Sequence, residues 1–140
     1  MIVRELSVLE ADADIVDDLG KEASLEYPDF DYVIQKRFWT ELIKDGKGVA
    51  LGLFDGKELE GILIGFYIFS PDNQEMIATE SHWYVRKNKR GKGIYLLRAF
   101  ESWAKQKECK RIYFGGPKSF EEFYLRLGYK IKTIIYQKEI

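Results

Sequence analysis

The stretch Arg90-Gly91-Lys92-Gly93-Ile94-Tyr95-Leu96-Leu97 stands between two hydrophobic patterns of different period. Before it, an alternating apolar run ends at Val85; after it, from Ile94 to Lys107, apolar residues recur at helical spacing. The backbone must therefore pass from a strand through a glycine-bearing turn into a helix. Two glycines allow a tight turn and a close approach to a ligand. The first N–H groups of a helix lack internal partners and carry the positive end of its dipole, which suits a phosphate. Arg86, Lys87, Lys89, Arg90 and Lys92 add cationic charge to the same stretch. A basic run alone is usually a solvated loop, but glycines at a helix start favour an anion cradle.

Two other phosphate loops are excluded. A G-x-G-x-x-G turn would need glycine where Leu96 stands, and no G-x-x-x-x-G-K-[ST] occurs. The 140 residues suit one domain, 1–140, and 46% apolar with 32% charged content suits a soluble globular chain. A net charge of -1 gives no overall field toward nucleic acid or membrane. The longest apolar run, Gly61 to Phe69, is too short to cross a bilayer. One cysteine, Cys109, rules out an internal disulfide, and one histidine, His82, rules out zinc chemistry built on paired histidines, so no metal is expected. A cytoplasmic location follows as the default.

Along the chain, Met1 to Val8 reads as an edge strand and Ala11 to Glu22 as a short amphipathic helix. Pro28 interrupts the pattern, and Asp31 is placed to cap a second helix, Tyr32 to Lys44. Gly48 to Phe54 and Leu59 to Phe69 are strands joined at Asp55-Gly56-Lys57; the turn at Ser70-Pro71-Asp72-Asn73 leads to a further antiparallel strand, Met76 to Val85. The helix from Ile94 is predicted to bury Leu96, Leu97, Phe100 and Ala104, and to lead into a parallel strand, Arg111 to Phe114. Ser119 can cap a last helix ending at Gly128, and Tyr129 to Glu139 reads as a final strand or hairpin.

Val85, Arg90, Gly93 and Tyr95 fall at the spacing of the acyl-coenzyme A loop of the GNAT superfamily of N-acetyltransferases, and the chain resembles that family. Tyr95 departs from the glycine or alanine usual at the last position, so its ring must turn aside or weaken coenzyme binding. Phe123-Tyr124-Leu125-Arg126-Leu127-Gly128-Tyr129 is similar to the family's second signature. Trp83-Tyr84-Val85 and Phe100-Glu101-Ser102-Trp103-Ala104, taken with the two motifs, look most like phage-encoded members. The resemblance implies an α/β (α+β) fold: a mixed, mostly antiparallel sheet of six to seven strands flanked by about four helices, splayed between strands four and five.

It also implies an acyltransferase moving an acetyl group from acetyl-CoA, as cosubstrate, to a primary amine of a small molecule or protein. Trp83, Tyr84 and Val85 would pair with the pantetheine arm; Arg90, Gly91, Lys92, Gly93, Ile94 and Tyr95 would hold the pyrophosphate, with Ser119 also on the coenzyme. Tyr124 matches the tyrosine that protonates the leaving thiolate, and a core role is its alternative. Glu80 and His82 are the candidate bases. Plain alternation puts both on one face with Tyr84, and a bulge would shift that register by one. Tyr27, Phe30, Tyr32 and Trp39 either line the acceptor side or are ordinary packing aromatics. Cys109 has no histidine near it and is not expected to act as a nucleophile. The alternative function is a catalytically degenerate binding domain or viral accessory protein. Either a monomer or a homodimer, formed by exchange of the last strand or by edge pairing, is compatible with the sequence.

Overall fold

The computed structural model describes residues 1–140. Strand β1, Ile2–Glu5, lies at one edge of the sheet. Ser7 and Glu10 then close a capping box: the Ser7 hydroxyl accepts from the Glu10 N–H at 3.2 Å, and the Glu10 carboxylate accepts from the Ser7 N–H at 3.0 Å. That box starts a one-turn helix, α1, Val8–Ala11, which periodicity alone divides between the strand before it and the helix after it. Helix α2 runs Asp14–Glu26, shifted toward the C-terminus of the predicted Ala11 to Glu22. Helix α3 is Tyr32–Lys44, with the Asp31 carboxylate accepting from the Ile34 N–H at 3.1 Å as a cap.

Three antiparallel strands follow: β2, Gly48–Asp55; β3, Glu58–Phe69; and β4, Met76–Val85. Gly56, at φ +59°, and Lys57 form the tight turn between β2 and β3. Helix α4, Gly93–Gln106, crosses back over the sheet to β5, Arg111–Tyr113, which pairs with β4 in parallel. The strands lie in the order β1-β2-β3-β4-β5. Helix α5, Glu121–Arg126, follows β5. No helix is long and apolar enough to cross a membrane.

The sheet separates two apolar layers. On one side Val16, Leu19, Ala23 and Trp39 from α2 and α3 meet Ile62, Ile64 and Tyr84. On the other, Leu96, Phe100, Trp103 and Ala104 of α4 meet Val49, Leu53, Leu63 and Ala78. The buried stripe of α4 is thus the predicted one widened by Trp103.

Three expectations are corrected. The sheet has five strands, not six or seven, because Tyr129–Glu139 joins no ladder: residues 130–140 make no backbone hydrogen bond, and the edge beside them, β5, is only three residues long. Five α-helices, not four, flank the sheet, since the Ser7 box creates an extra turn. Ser119 caps nothing; it lies inside a 3-10 turn, Lys118–Phe120, and α5 begins after it.

Helix α4 approaches the sheet most closely at Gly65 on β3. A Cβ there would sit 2.3 Å from the Phe100 ring and 2.9 Å from the Thr79 carbonyl oxygen, whereas at Gly91 nothing lies within 4 Å. Gly65→Ala is expected to destabilise the fold by about 1–3 kcal/mol through overpacking, and Gly91→Ala to stay within about 0.5 kcal/mol of the parent. Urea unfolding of the two variants checks this, and equal midpoints would contradict the packing described.

Candidate active site

Strand β4 is paired on both sides for only part of its length. Ile77, Ala78 and Thr79 face Arg111, Ile112 and Tyr113 of β5, and beyond Thr79 no strand lies on that side. The sheet therefore opens between β4 and β5 from Glu80 to Val85. On the β3 side, His82 is opposite Ile64 and Glu80 is opposite Gly65, leaving Ser81 as an extra residue in a bulge.

The bulge inverts the alternation. Ile64 belongs to the layer under α2 and α3, and His82 goes with it: its ring stacks on Phe30 at 4.4 Å and on Trp39 at 5.5 Å. Gly65 faces Phe100 of α4, and Glu80 opposite it turns to that side. Glu80 and His82 consequently lie on opposite faces of the sheet, not on one face as plain alternation predicts.

Their environments differ accordingly. The Glu80 Oε2 is shut from solvent with no hydrogen-bond partner, and burial pushes the carboxyl up to about 7. Burial lowers His82 to about 4, so at neutral pH it is an uncharged ring packed between aromatics. Tyr124, on α5, stacks on Phe114 at 5.6 Å and its hydroxyl makes no hydrogen bond within the chain. Burial, and then the charge of Glu80, raise the Tyr124 phenol to about 12, which places the two groups within electrostatic reach. Trp83 packs against Phe114 at 5.8 Å and Phe123 at 6.4 Å, and its indole N–H is also buried without a partner. Two unpartnered buried polar atoms on β4, beside the opening, are positions where a bound molecule would supply the missing bonds.

The basic loop differs from the open cradle that its sequence predicts. Lys87–Lys92 is a 3-10 turn, which closes amides on carbonyls three residues back; the Gly93 N–H donates to the Arg90 oxygen and the Lys89 N–H to the Arg86 oxygen. Its cations are also largely paired. Arg86 Nε reaches both Glu22 oxygens at 3.1 Å and its Nη1 lies 3.5 Å from Glu60. Lys89 meets Asp55 at 3.0 Å. Arg90 bonds Glu26, holding that carboxyl below the usual range, and donates from Nε to the Val85 oxygen at 3.1 Å. Lys87 and Lys92 have no carboxylate partner. The sequence gives no signal for Glu22 and Glu26, which lie 64 residues before their arginines.

Gly93 brings α4 against the strand end, where a Cβ would lie 3.3 Å from Val85. Ile94 follows it in the first turn of α4. Tyr95 is half exposed and lines a shallow hollow with Met1, Val3 and Lys92 beside β1, and the Lys92 ammonium lies 5.8 Å over its ring. On the α2–α3 side, Trp39 is fully buried; Phe30 and Tyr32 border a hollow of 710 Å³ with Ser24, Pro28 and Asp31. Tyr32 donates to Asp17, so it is tied to the scaffold. Burial raises the Cys109 thiol, the opposite of an activated nucleophile.

An opened mixed sheet, a bulged fourth strand and a glycine-bearing helix start define an acyltransferase-type fold. The model of the Acetyltransferase (GNAT) family matches residues 13–129, and the chain belongs to that family. Among solved structures, it is similar to a ribosomal-protein-alanine N-acetyltransferase from Brucella melitensis biovar Abortus 2308, with 19% identity over 100% of both chains and a TM-score of 0.72. It is similar to an aminoglycoside acetyltransferase from an uncultured soil metagenomic sample, solved with sisomicin: 13% identity, 99% of this chain, 95% of the other, TM-score 0.74. A transcriptional regulator from Bacillus halodurans C-125 shares 20% identity over 99% of both chains, with a TM-score of 0.78. At these identities the likeness shows the fold. No curated protein matches the sequence.

The two buried groups on β4 give opposite pH dependences of stability. Glu80 is raised from 4.5 to about 7, so the unfolded chain releases that proton first and stability is lost as pH rises through that window. His82 is lowered from 6.5 to about 4, so stability is lost as pH falls through its window. Glu80→Gln should gain stability over the parent with rising pH, by about 3 kcal/mol across the window at most. Urea unfolding at a series of pH values measures the difference, and a pH-independent difference would contradict the desolvation of Glu80.

Proposed function

We propose that the chain transfers an acetyl group from acetyl-CoA to a primary amine by direct attack. The observation that carries this is the desolvated, unpartnered carboxylate of Glu80, turned by the Ser81 bulge toward the opened part of β4 and within electrostatic reach of Tyr124. The amine nitrogen forms a bond to the acetyl carbonyl carbon and the carbon–sulfur bond breaks. Glu80, half ionised near neutral pH, takes the proton that the amine gives up. Tyr124, raised to about 12 and so fully protonated, gives its proton to the departing thiolate and recovers one from solvent.

The unpaired edge of β4 from Glu80 to Tyr84 offers main-chain groups to an extended pantetheine arm in the manner of an added strand. Trp83, Tyr84 and Val85 would line it. Gly91, with open space around it, and Lys92, without a carboxylate partner, would meet the diphosphate together with Arg90, Gly93, Ile94 and Tyr95. The Tyr95 ring, directed to the β1 edge, leaves that approach free. Ser119, in the 3-10 turn after β5, would join them on the coenzyme. The amine would reach Glu80 through the β4–β5 opening; the hollow beside Phe30 and Asp31 lies on the other, α2–α3 side of the sheet. His82 serves as packing beneath it. The likeness to phage-encoded members, and with it a host cytoplasm or virion setting, rests on the sequence phrases alone.

A second reading, a binding domain without catalysis, is favoured by one observation: Arg86, Lys89 and Arg90 already have carboxylate partners, which reduces the field available to a diphosphate.

Acetyl-CoA is expected to raise the melting temperature under the first reading and to leave it unchanged under the second. Tyr124→Phe should lower kcat by about 10²–10⁴ with little change in KM for the coenzyme. Glu80→Gln should lower activity comparably and remove the loss of rate that the parent shows as pH falls below about 7. Full activity in both variants would remove Glu80 and Tyr124 from the reaction.

A further inference from the structure

The segment that carries Tyr124 is joined to the rest of the chain almost entirely by aromatic contact. From Gly115 to Tyr129 no backbone hydrogen bond leaves the segment, and α5 contains no buried residue. Its rings lean across the β4–β5 opening: Phe123 on Trp83 of β4 at 6.4 Å, and Tyr124 and Tyr129 on Phe114, each at 5.6 Å. The segment also starts with a hinge. Gly115 and Gly116 precede Pro117, a Cβ at Gly115 would meet nothing within 4 Å, and neither glycine N–H is bonded, so the backbone there is free to turn.

One polar bond crosses from this segment to the body of the fold. The Tyr129 hydroxyl donates to Glu101 Oε2 of α4 at 3.1 Å. The segment's other side-chain bond, Arg126 to Glu122, stays within it. Glu101 is itself held in place: its Oε1 accepts from Arg98, one turn earlier on α4, at 3.1 Å. The Glu101 side chain is only 28% exposed, so water screens the bond in part, and a carboxylate acceptor makes it stronger than a bond between neutral groups. Tyr129 passes the tie to Tyr124 in two ways, through its N–H on the Tyr124 carbonyl oxygen at 3.0 Å and through ring contact at 5.7 Å.

We propose that the Tyr129–Glu101 hydrogen bond is a latch that holds α5, and with it the Tyr124 ring, at the β4–β5 opening, which makes Tyr129 and Glu101 positioning residues for Tyr124. Neither touches the reacting atoms. Apolar ring contacts tolerate sliding, whereas a hydrogen bond fixes a distance and a direction. The difference matters for a proton donor, since a displacement of about 1 Å lowers a rate by about 10²-fold. Packing against Phe114 and Tyr124 asks only for a ring at position 129; the latch is what asks for its hydroxyl. The part played in proton delivery rests on the acetyl-transfer reading. The latch itself does not.

Tyr129→Phe, which removes only the hydroxyl, and Glu101→Leu test it on the full chain. Hydrogen exchange and aromatic NMR are measured without coenzyme. In both variants the amides of residues 121–128 should exchange about tenfold faster than in the parent. Overhauser contacts between the Tyr124 and Phe114 rings should weaken, and the amides of β4 should keep the parent's rates. In acetyl-transfer assays kcat should fall by about 10–10²-fold, with KM for acetyl-CoA within about twofold of the parent. Glu101→Gln, which keeps an oxygen acceptor for Tyr129, should restore the parent's exchange rates and kcat. Parent-like exchange at α5 in Tyr129→Phe would overturn the latch, and so would Glu101→Gln behaving as Glu101→Leu does. Faster exchange with an unchanged kcat would overturn the positioning role. A parent that transfers no acetyl group would remove the reaction and that role with it, while the exchange rates would still decide the latch.

Discussion

One surplus residue in β4 decides on which face of the sheet the Glu80 carboxylate lies. Were Ser81 paired regularly opposite Gly65, Glu80 would point with His82 into the layer beneath α2 and α3, where His82 is packed between Phe30 and Trp39. With the bulge, the carboxylate turns to the α4 side, into the region of Phe114 and Tyr124. Opposite Glu80 on β3 stands Gly65, whose missing side chain leaves the space that the Phe100 ring fills. Carboxylate position and helix approach thus depend on the same few residues.

The electrostatics of the loop are arranged around α2. Glu22 and Glu26 stand one helical turn apart and meet Arg86 and Arg90 at the end of β4, so the basic turn is strapped to α2, which borders the hollow beside Phe30. Ion pairs this exposed contribute about 0–1 kcal/mol each to stability. Their larger effect is on position. Arg90, held by Glu26 on one side and by the Val85 carbonyl on the other, fixes the end of β4 relative to the start of α4. Arg86 and Arg90, paired in this way, act chiefly as struts.

Much of this fold was legible in residue patterns. The period change around Val85 and Ile94 located β4 and α4, Asp31 marked the start of α3, and Gly56 the turn between β2 and β3. Local signals of this kind act over a few residues, which is why they survive in the sequence. The capping box at Ser7 and Glu10 was equally local and was masked by the apolar residues on either side. What pattern could not supply was relational. The bulge is a property of β3 and β4 together, and only their register separates Glu80 from His82. The pairing of the loop cations links residues far apart in the chain. The final segment has strand composition, but a strand exists only with a neighbour, and the chain's own β5 edge is too short to serve.

In the proposed function, the opening beside Glu80 to Val85 receives the coenzyme. A crystal structure of the chain grown with coenzyme A tests it most directly. The pantetheine arm is expected alongside Ser81 to Tyr84, within hydrogen-bonding distance of their main chain, and the diphosphate at Gly91 to Gly93. Coenzyme bound on any other surface, or an opening filled by the chain's own side chains under saturating coenzyme, would contradict it.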